Sequence, residues 1–128
     1  MAATPFTFAG ALRYPPNGGE AVADRPYSVQ SSFDSNADYR LVLPGAGTIS
    51  VSFGTIAAAG VKALLVEVEA DTSPTAAPVN FVINGGDEPI EISPGGFLAF
   101  SSPKPVAGIT SLDVTATAAA VVKIWLLG

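Results

Sequence analysis

The feature that most constrains this chain is a series of short apolar segments separated by glycine and proline. Within many of these segments apolar and polar residues alternate, which is the period of a β-strand with one buried face. The turn-forming residues recur about every 8 to 12 residues, and no amphipathic helix of useful length interrupts the series. The sequence therefore predicts an all-β fold, a single-domain β-sandwich.

The predicted strands of the sandwich begin after residue 26. They are 27–33, 39–43, 48–53, 61–69, 79–83, 89–92, 97–100, 109–117 and 121–127. Segment 61–69 is ambiguous, because its first half also suits a helix, but its β-branched residues favour a strand. We favour an eight-stranded, jelly-roll-like topology, and an immunoglobulin-like sandwich stays open as the alternative.

Two turn signals support this pattern. Asn84-Gly85 predicts a hairpin between 79–83 and 89–92, because both turn residues must tolerate positive φ. Pro94-Gly95 predicts the next turn, where proline presets φ and glycine takes the positive-φ position.

The N-terminal segment differs from the rest. An apolar stretch from Thr4 to Tyr14 is followed by Pro15-Pro16-Asn17-Gly18-Gly19 and a polar run to Pro26. We predict that residues 1–26 form an extended N-terminal arm or irregular segment and that residues 27–128 form the β-sandwich domain. A weak strand, a loop, and an arm that pairs with a neighbouring chain are all compatible with this composition.

The residue types argue against an enzyme. The chain has no histidine and no cysteine, and charged residues make up 13% of it. Histidine is the commonest proton-transfer group near neutral pH, and cysteine is the readiest nucleophile. We therefore predict no catalytic residue, no cofactor and no metal ligand. A serine–lysine pair is formally available, but no recognised spacing supports it.

The charge pattern argues against nucleic-acid binding, because phosphate contacts need clustered basic residues. The net charge is −5, and the six basic residues are scattered: Arg13, Arg25, Arg40, Lys62, Lys104 and Lys123. No apolar run reaches the roughly 18 to 20 residues of a membrane span. The N-terminal residues also lack the basic and apolar regions of a signal peptide.

Two acidic clusters have simpler explanations than a site. Segment 34–38 resembles the start of a calcium loop, but Tyr39 and Gly45 stand where that loop needs glycine and glutamate. Asp87, Glu88 and Glu91 lie at a predicted hairpin tip, where exposed charge is the ordinary state.

The aromatic residues divide into two groups. Those in predicted strands are expected in the core: Phe81, Phe97, Phe100 and Trp125. Those in the N-terminal third are the candidate interaction residues: Phe6, Phe8, Tyr14 and Tyr27. They either anchor this segment to its own sandwich or contact a neighbouring subunit.

Four segments carry a resemblance to a known class of proteins: 60–68, 90–96, 108–112 and 122–128. They contain a Pro-Gly-Gly turn, a Gly-Ile-Thr-Ser-Leu strand and a closing apolar strand followed by glycine. In these features the region from about residue 40 to 128 resembles small structural virion proteins of tailed bacteriophages, of the capsid decoration or cement type.

The resemblance implies a non-enzymatic, jelly-roll-like module that binds the outer capsid surface and stabilises the head. Its partners would be the major capsid protein and copies of itself, as a dimer or trimer, with no nucleic acid and no membrane. The protein would be made in the bacterial cytoplasm and located in the virion. No catalytic residue is carried over.

The alternative is a phage tail or fibre domain, or a carbohydrate-binding β-sandwich. Exposed aromatics such as Tyr14, Tyr27 and Tyr39 would then form the ligand face. Such sandwiches often stack sugars on exposed tryptophan, and the predicted core position of Trp125 counts against this version.

Overall fold

A computed structural model describes residues 3–14, 23–57, 60–70, 77–105 and 108–128. Within these ranges the chain is built from strands and contains no helix, which confirms the predicted all-β class. The strands are β1 Thr4–Tyr14, β2 Ala23–Phe33, β3 Asn36–Leu43, β4 Gly47–Ser50, β5 Ala63–Val68, β6 Val79–Ile83, β7 Ile90–Ile92, β8 Phe97–Ser101, β9 Leu112–Ala116 and β10 Ala120–Leu127.

Eight of these strands form two four-stranded antiparallel sheets. Sheet I has the order β3-β10-β5-β8, and sheet II has the order β4-β9-β6-β7. The predicted β-sandwich is confirmed. The strands pair as nested partners, β3 with β10, β4 with β9, β5 with β8 and β6 with β7. Such nesting in two four-stranded sheets is typical of jelly-roll domains.

The core lies between the two sheets and follows the period of the strands. Alternate residues of β5 and β10 point inward from sheet I and are almost fully buried. Phe81 of β6 is the largest side chain with no exposed surface. Burying one large apolar side chain contributes about 1.5–3 kcal/mol, so this repeated alternation is the main stabilising feature of the sandwich.

Two aromatic residues predicted to be core are on the surface instead. Phe97 is 61% exposed and Trp125 is 37% exposed. Trp125 lies between Ile124 and Leu126, which are both fully buried, so the pleat of β10 directs it to the outer side of sheet I. The prediction was right for Phe81, while Phe100 is half-buried against the core.

The predicted turns form, and one carries an additional side-chain network. Asn84 and Gly85 have φ of 57° and 64°, and Gly95 has φ of 88°. Asn84 Oδ1 accepts hydrogen bonds from the backbone N–H groups of Thr110 and Ser111, at 2.6 and 3.2 Å. Asn84 Nδ2 donates to the carbonyl of Gly108 at 3.0 Å. These bonds fasten the β6–β7 turn to the segment that leads into β9.

The remaining two strands form a separate antiparallel hairpin. β1 and β2 pair along their whole length, from Thr4 opposite Phe33 to Tyr14 opposite Ala23. The boundary that the sequence suggested after residue 26 therefore lies inside β2, and residues 27–33 belong to the hairpin. Within the predicted arm, residues 4–14 and 23–26 are regular strand, and residues 1–2 and 15–22 lie outside the described part of the chain.

The base of the hairpin is tied to the sandwich by backbone hydrogen bonds. Asp34 and Ser35 donate to the carbonyl of Gly128 at 2.8 and 2.9 Å, and Gly128 donates back to Ser35. Lys62 Nζ also donates to the carbonyl of Ser32 at 2.7 Å. The hairpin thus extends from a fixed point at the end of β10.

Candidate interaction surface on the N-terminal hairpin

The hairpin has one apolar face and one polar face. In an antiparallel pair, directly opposed residues point to the same side. The register therefore groups a set of apolar side chains, here called the apolar face: Phe6, Phe8, Leu12, Tyr27, Val29 and Phe33. The opposite side, the polar face, carries mostly small and polar residues: Pro5, Thr7, Ala9, Ala11, Arg13, Asp24, Pro26, Ser28, Gln30 and Ser32.

The apolar face is covered near the base and open toward the tip. Phe6 and Phe33 are half-buried, and their ring centroids lie 6.1 Å apart with an interplanar angle of 57°. Farther out, Tyr27 is 46% exposed and Leu12 is 62% exposed. Surface apolar residues grouped on one face are typical of a contact site.

Gly10 shapes the middle of this face. Tyr27 lies directly across the ladder from Gly10, and its ring covers the glycine. A Cβ at position 10 would lie 2.8 Å from Tyr27 Oη and 3.0 Å from Cζ, so a larger residue would displace the ring. The absence of a side chain at Gly10 therefore leaves room for the Tyr27 ring, and a cross-strand aromatic compensates for the missing side chain.

An open cleft of about 350 Å³ separates the hairpin from the outer side of sheet I. On the hairpin side it is lined by residues 7–11 of β1 and by Tyr27. Its other wall consists of Leu65, Phe97 and Ala99. Phe97, which is exposed, therefore borders an open gap and is not part of the core.

Three of the four candidate interaction residues come together on the apolar face. Phe6 and Phe8 lie on β1, and Tyr27 lies on β2. Tyr14 is the last residue of β1, and its side chain is outside the described part of the structure. Leu12 was not among the predicted interaction residues, although its even spacing from Phe6 and Phe8 places it on the same face of β1.

The charged groups of the described residues are paired only at the surface. Arg13 Nε lies 3.3 Å from Asp24 Oδ1 across the hairpin, and Arg40 lies 3.5 Å from Glu69 on sheet I. Exposed pairs of this kind contribute about 0–1 kcal/mol. In the described ranges, no three acidic side chains converge in a way that could hold a metal ion.

The two acidic segments occupy structural positions. Asp34 begins the corner between β2 and β3, where its backbone N–H bonds to Gly128. Asp87, Glu88 and Glu91 are exposed around the β6–β7 turn. Among the residues that the structure describes, no helix is long and apolar enough to cross a membrane.

Comparison with known proteins adds nothing to this geometry. No protein-family model matches the chain, and no curated protein or solved structure matches it either.

Proposed function

We propose that this chain is a non-enzymatic structural virion protein that decorates the outer surface of a phage capsid and stabilises the head. The observation that carries the proposal is the hairpin, which presents Leu12 and Tyr27 to solvent beside a well-packed sandwich. The resemblance of residues 40–128 to capsid decoration proteins supports the same conclusion.

The sandwich and the hairpin together suit the physical requirements of a decoration protein. A decoration protein needs a stable body and a surface that fits neighbouring subunits, and it needs no reactive group. On a symmetric lattice, weak contacts made by linked copies add up through effective concentration. Tyr27 and the phenylalanines of the apolar face supply the residue types that are enriched at interfaces.

The proposed partners are the major capsid protein and further copies of the chain. The apolar face is the proposed contact with the capsid subunit, since Leu12 and Tyr27 are exposed there and are not part of the chain's own core. The net charge of −5 and the scattered basic residues support a protein partner over nucleic acid.

Co-sedimentation with purified capsid shells that lack decoration tests this proposal. Wild-type protein is expected to pellet with the shells, and the double variant Leu12→Asp/Tyr27→Ser is expected to bind at least about tenfold more weakly. Val42→Ser is the matched control, because Val42 is 56% exposed but lies on β3, away from the hairpin. Wild-type protein that stays in the supernatant, or a double variant that binds normally, contradicts the proposal.

A specific observation favours a second candidate, a carbohydrate-binding or tail-fibre module. Trp125 is exposed on the outer side of sheet I, opposite Leu65 of β5. An exposed tryptophan can stack on a sugar ring, so the position of Trp125 does not count against this function. Oligosaccharide binding that is lost in Trp125→Ala would support this function, and an oligosaccharide screen without any binding would remove it.

A further inference from the structure

The hairpin has two strand edges without a partner strand among the described residues. β1 and β2 form a two-stranded sheet, and each bonds only to the other. Each strand therefore has a second row of backbone N–H and C=O groups that points away from the ladder. Such rows are templates for pairing with another strand.

Two prolines show which residues carry the outward-pointing groups. In an antiparallel pair, alternate residues direct both backbone groups either to the partner or away from it. Pro5 lies opposite Ser32 and Pro26 lies opposite Ala11, so both prolines belong to the polar-face set. Proline has no N–H to give to a ladder and is accommodated where this group would point outward. The polar-face residues thus form the two free edges.

The two edges differ in how well they can accept a strand. On β2, Pro26 interrupts the outward row between Asp24 and Ser28. On β1 the proline is at the base, and four consecutive outward positions remain available: Thr7, Ala9, Ala11 and Arg13. The first three have small, exposed side chains, which allow a second backbone to approach closely. The β1 edge therefore has the longer uninterrupted row of outward-pointing groups, and its residues 7–11 border the open cleft beside sheet I.

We propose that β1 pairs antiparallel with β1 of a second copy, about a twofold axis at Ala9, so that two hairpins form a four-stranded sheet. Ala9 then lies opposite itself, and Thr7 lies opposite Ala11 of the second copy. Pro5 lies opposite Arg13 of the second copy. The Pro5 carbonyl still accepts a hydrogen bond from the backbone N–H of that arginine. The self-pairing deepens the proposed function by naming the contact between copies.

The same register is complementary on the apolar face. It places Phe6 opposite Leu12 of the second copy and Phe8 opposite Gly10, next to the ring of Tyr27. Leu12, the most exposed large apolar side chain of the described residues, thereby gains an aromatic neighbour. The two Arg13 side chains lie at opposite ends of the new ladder and do not repel each other.

Self-pairing would also stabilise the hairpin. A two-stranded sheet is at best marginally stable in water, whereas three or more strands with an apolar face are stable. An equivalent twofold pairing of β2 about Ser28 would place Pro26 opposite Gln30, only two residues from the axis, so its two missing ladder bonds would lie inside the ladder. In the β1 pairing the two bonds that Pro5 cannot make lie at the ends of the ladder. The second copy is therefore expected at β1 and not at β2.

Single-cysteine cross-linking of the full chain tests this register, because the chain has no cysteine of its own. Directly opposed residues of an antiparallel ladder lie about 5.5 Å apart, within the range that a disulfide spans. Ala9→Cys is expected to form a disulfide-linked dimer under mild oxidation. Ser28→Cys is the matched control, since Ser28 is exposed and lies directly across the hairpin from Ala9 on the other edge.

A mixture of Thr7→Cys and Ala11→Cys extends the test. The two variants are expected to cross-link with each other much faster than either does with itself. Light scattering of unmodified protein should give the mass of a dimer, and Ala9→Pro, which removes one outward N–H, should shift it toward the monomer. A wild-type monomer or trimer, or equal cross-linking at positions 9 and 28, overturns the proposal. These measurements use the isolated protein, so their failure is separate from a failure of capsid binding.

Discussion

Alternating apolar residues are buried in the sandwich but exposed in the hairpin. In the sandwich, alternate residues such as Val66 and Ile124 have no exposed surface, because a second sheet covers them. In the hairpin, Leu12 and Tyr27 alternate in the same fashion but are 62% and 46% exposed. Alternation in a strand therefore predicts only that one of its faces is apolar. Whether that face becomes core or contact surface depends on whether a second sheet covers it.

The largest expected difference between the regions is in stability. Phe81→Ala should lower the free energy of unfolding by about 3–5 kcal/mol, because it removes a fully buried ring from the centre of the sandwich. Leu12→Ala should change it by less than about 0.5 kcal/mol, since the side chain is mostly exposed. Urea denaturation of both variants measures this. Equal losses would show that the hairpin is part of the core.

An intermediate effect is expected at the β6–β7 turn. Asn84→Ala should cost about 1–3 kcal/mol, because it leaves the N–H groups of Thr110 and Ser111 without their acceptor and puts alanine at positive φ. Asp87→Ala on the same turn is the control and should be close to neutral. Thermal unfolding of the two proteins compares them, and an unchanged melting temperature for Asn84→Ala would disprove the role of this network.

The smallest expected effect sharpens the comparison within the hairpin. Phe33→Ala removes the ring that packs on Phe6 at the base. We expect faster amide exchange in β1 and β2 and almost unchanged exchange in β5 and β10, because the hairpin is a separate ladder that can open locally. Hydrogen exchange read by mass spectrometry resolves these segments. A matching increase in β10 would mean that both regions unfold together.

Much of the fold could be predicted because strand period and turn chemistry are local. Alternation located most strands of the sandwich, and Asn84-Gly85 located a turn with positive φ at both positions. The exposure of Trp125 could not be predicted in this way. Segment 121–127 is apolar on nearly every residue, so its sequence does not say which side faces the core.

The candidate surface was only partly predictable for a related reason. Residue type and location were enough to select Phe6, Phe8 and Tyr27. Their grouping on one face depends on the pairing of β1 with β2, and that register is a property of two segments that are separated in the sequence. The exposure of Leu12 on β1 and of Phe97 on β8 likewise depends on how each strand is placed in the fold, which the sequence alone does not give.

The most direct test of the central claim is hydrogen exchange of the protein with and without capsid shells. If the hairpin is the contact surface on a preformed sandwich, shells should slow exchange in segments 4–14 and 23–33 and leave β5, β9 and β10 as they are. New protection confined to the sandwich, with the hairpin unchanged, would contradict this account.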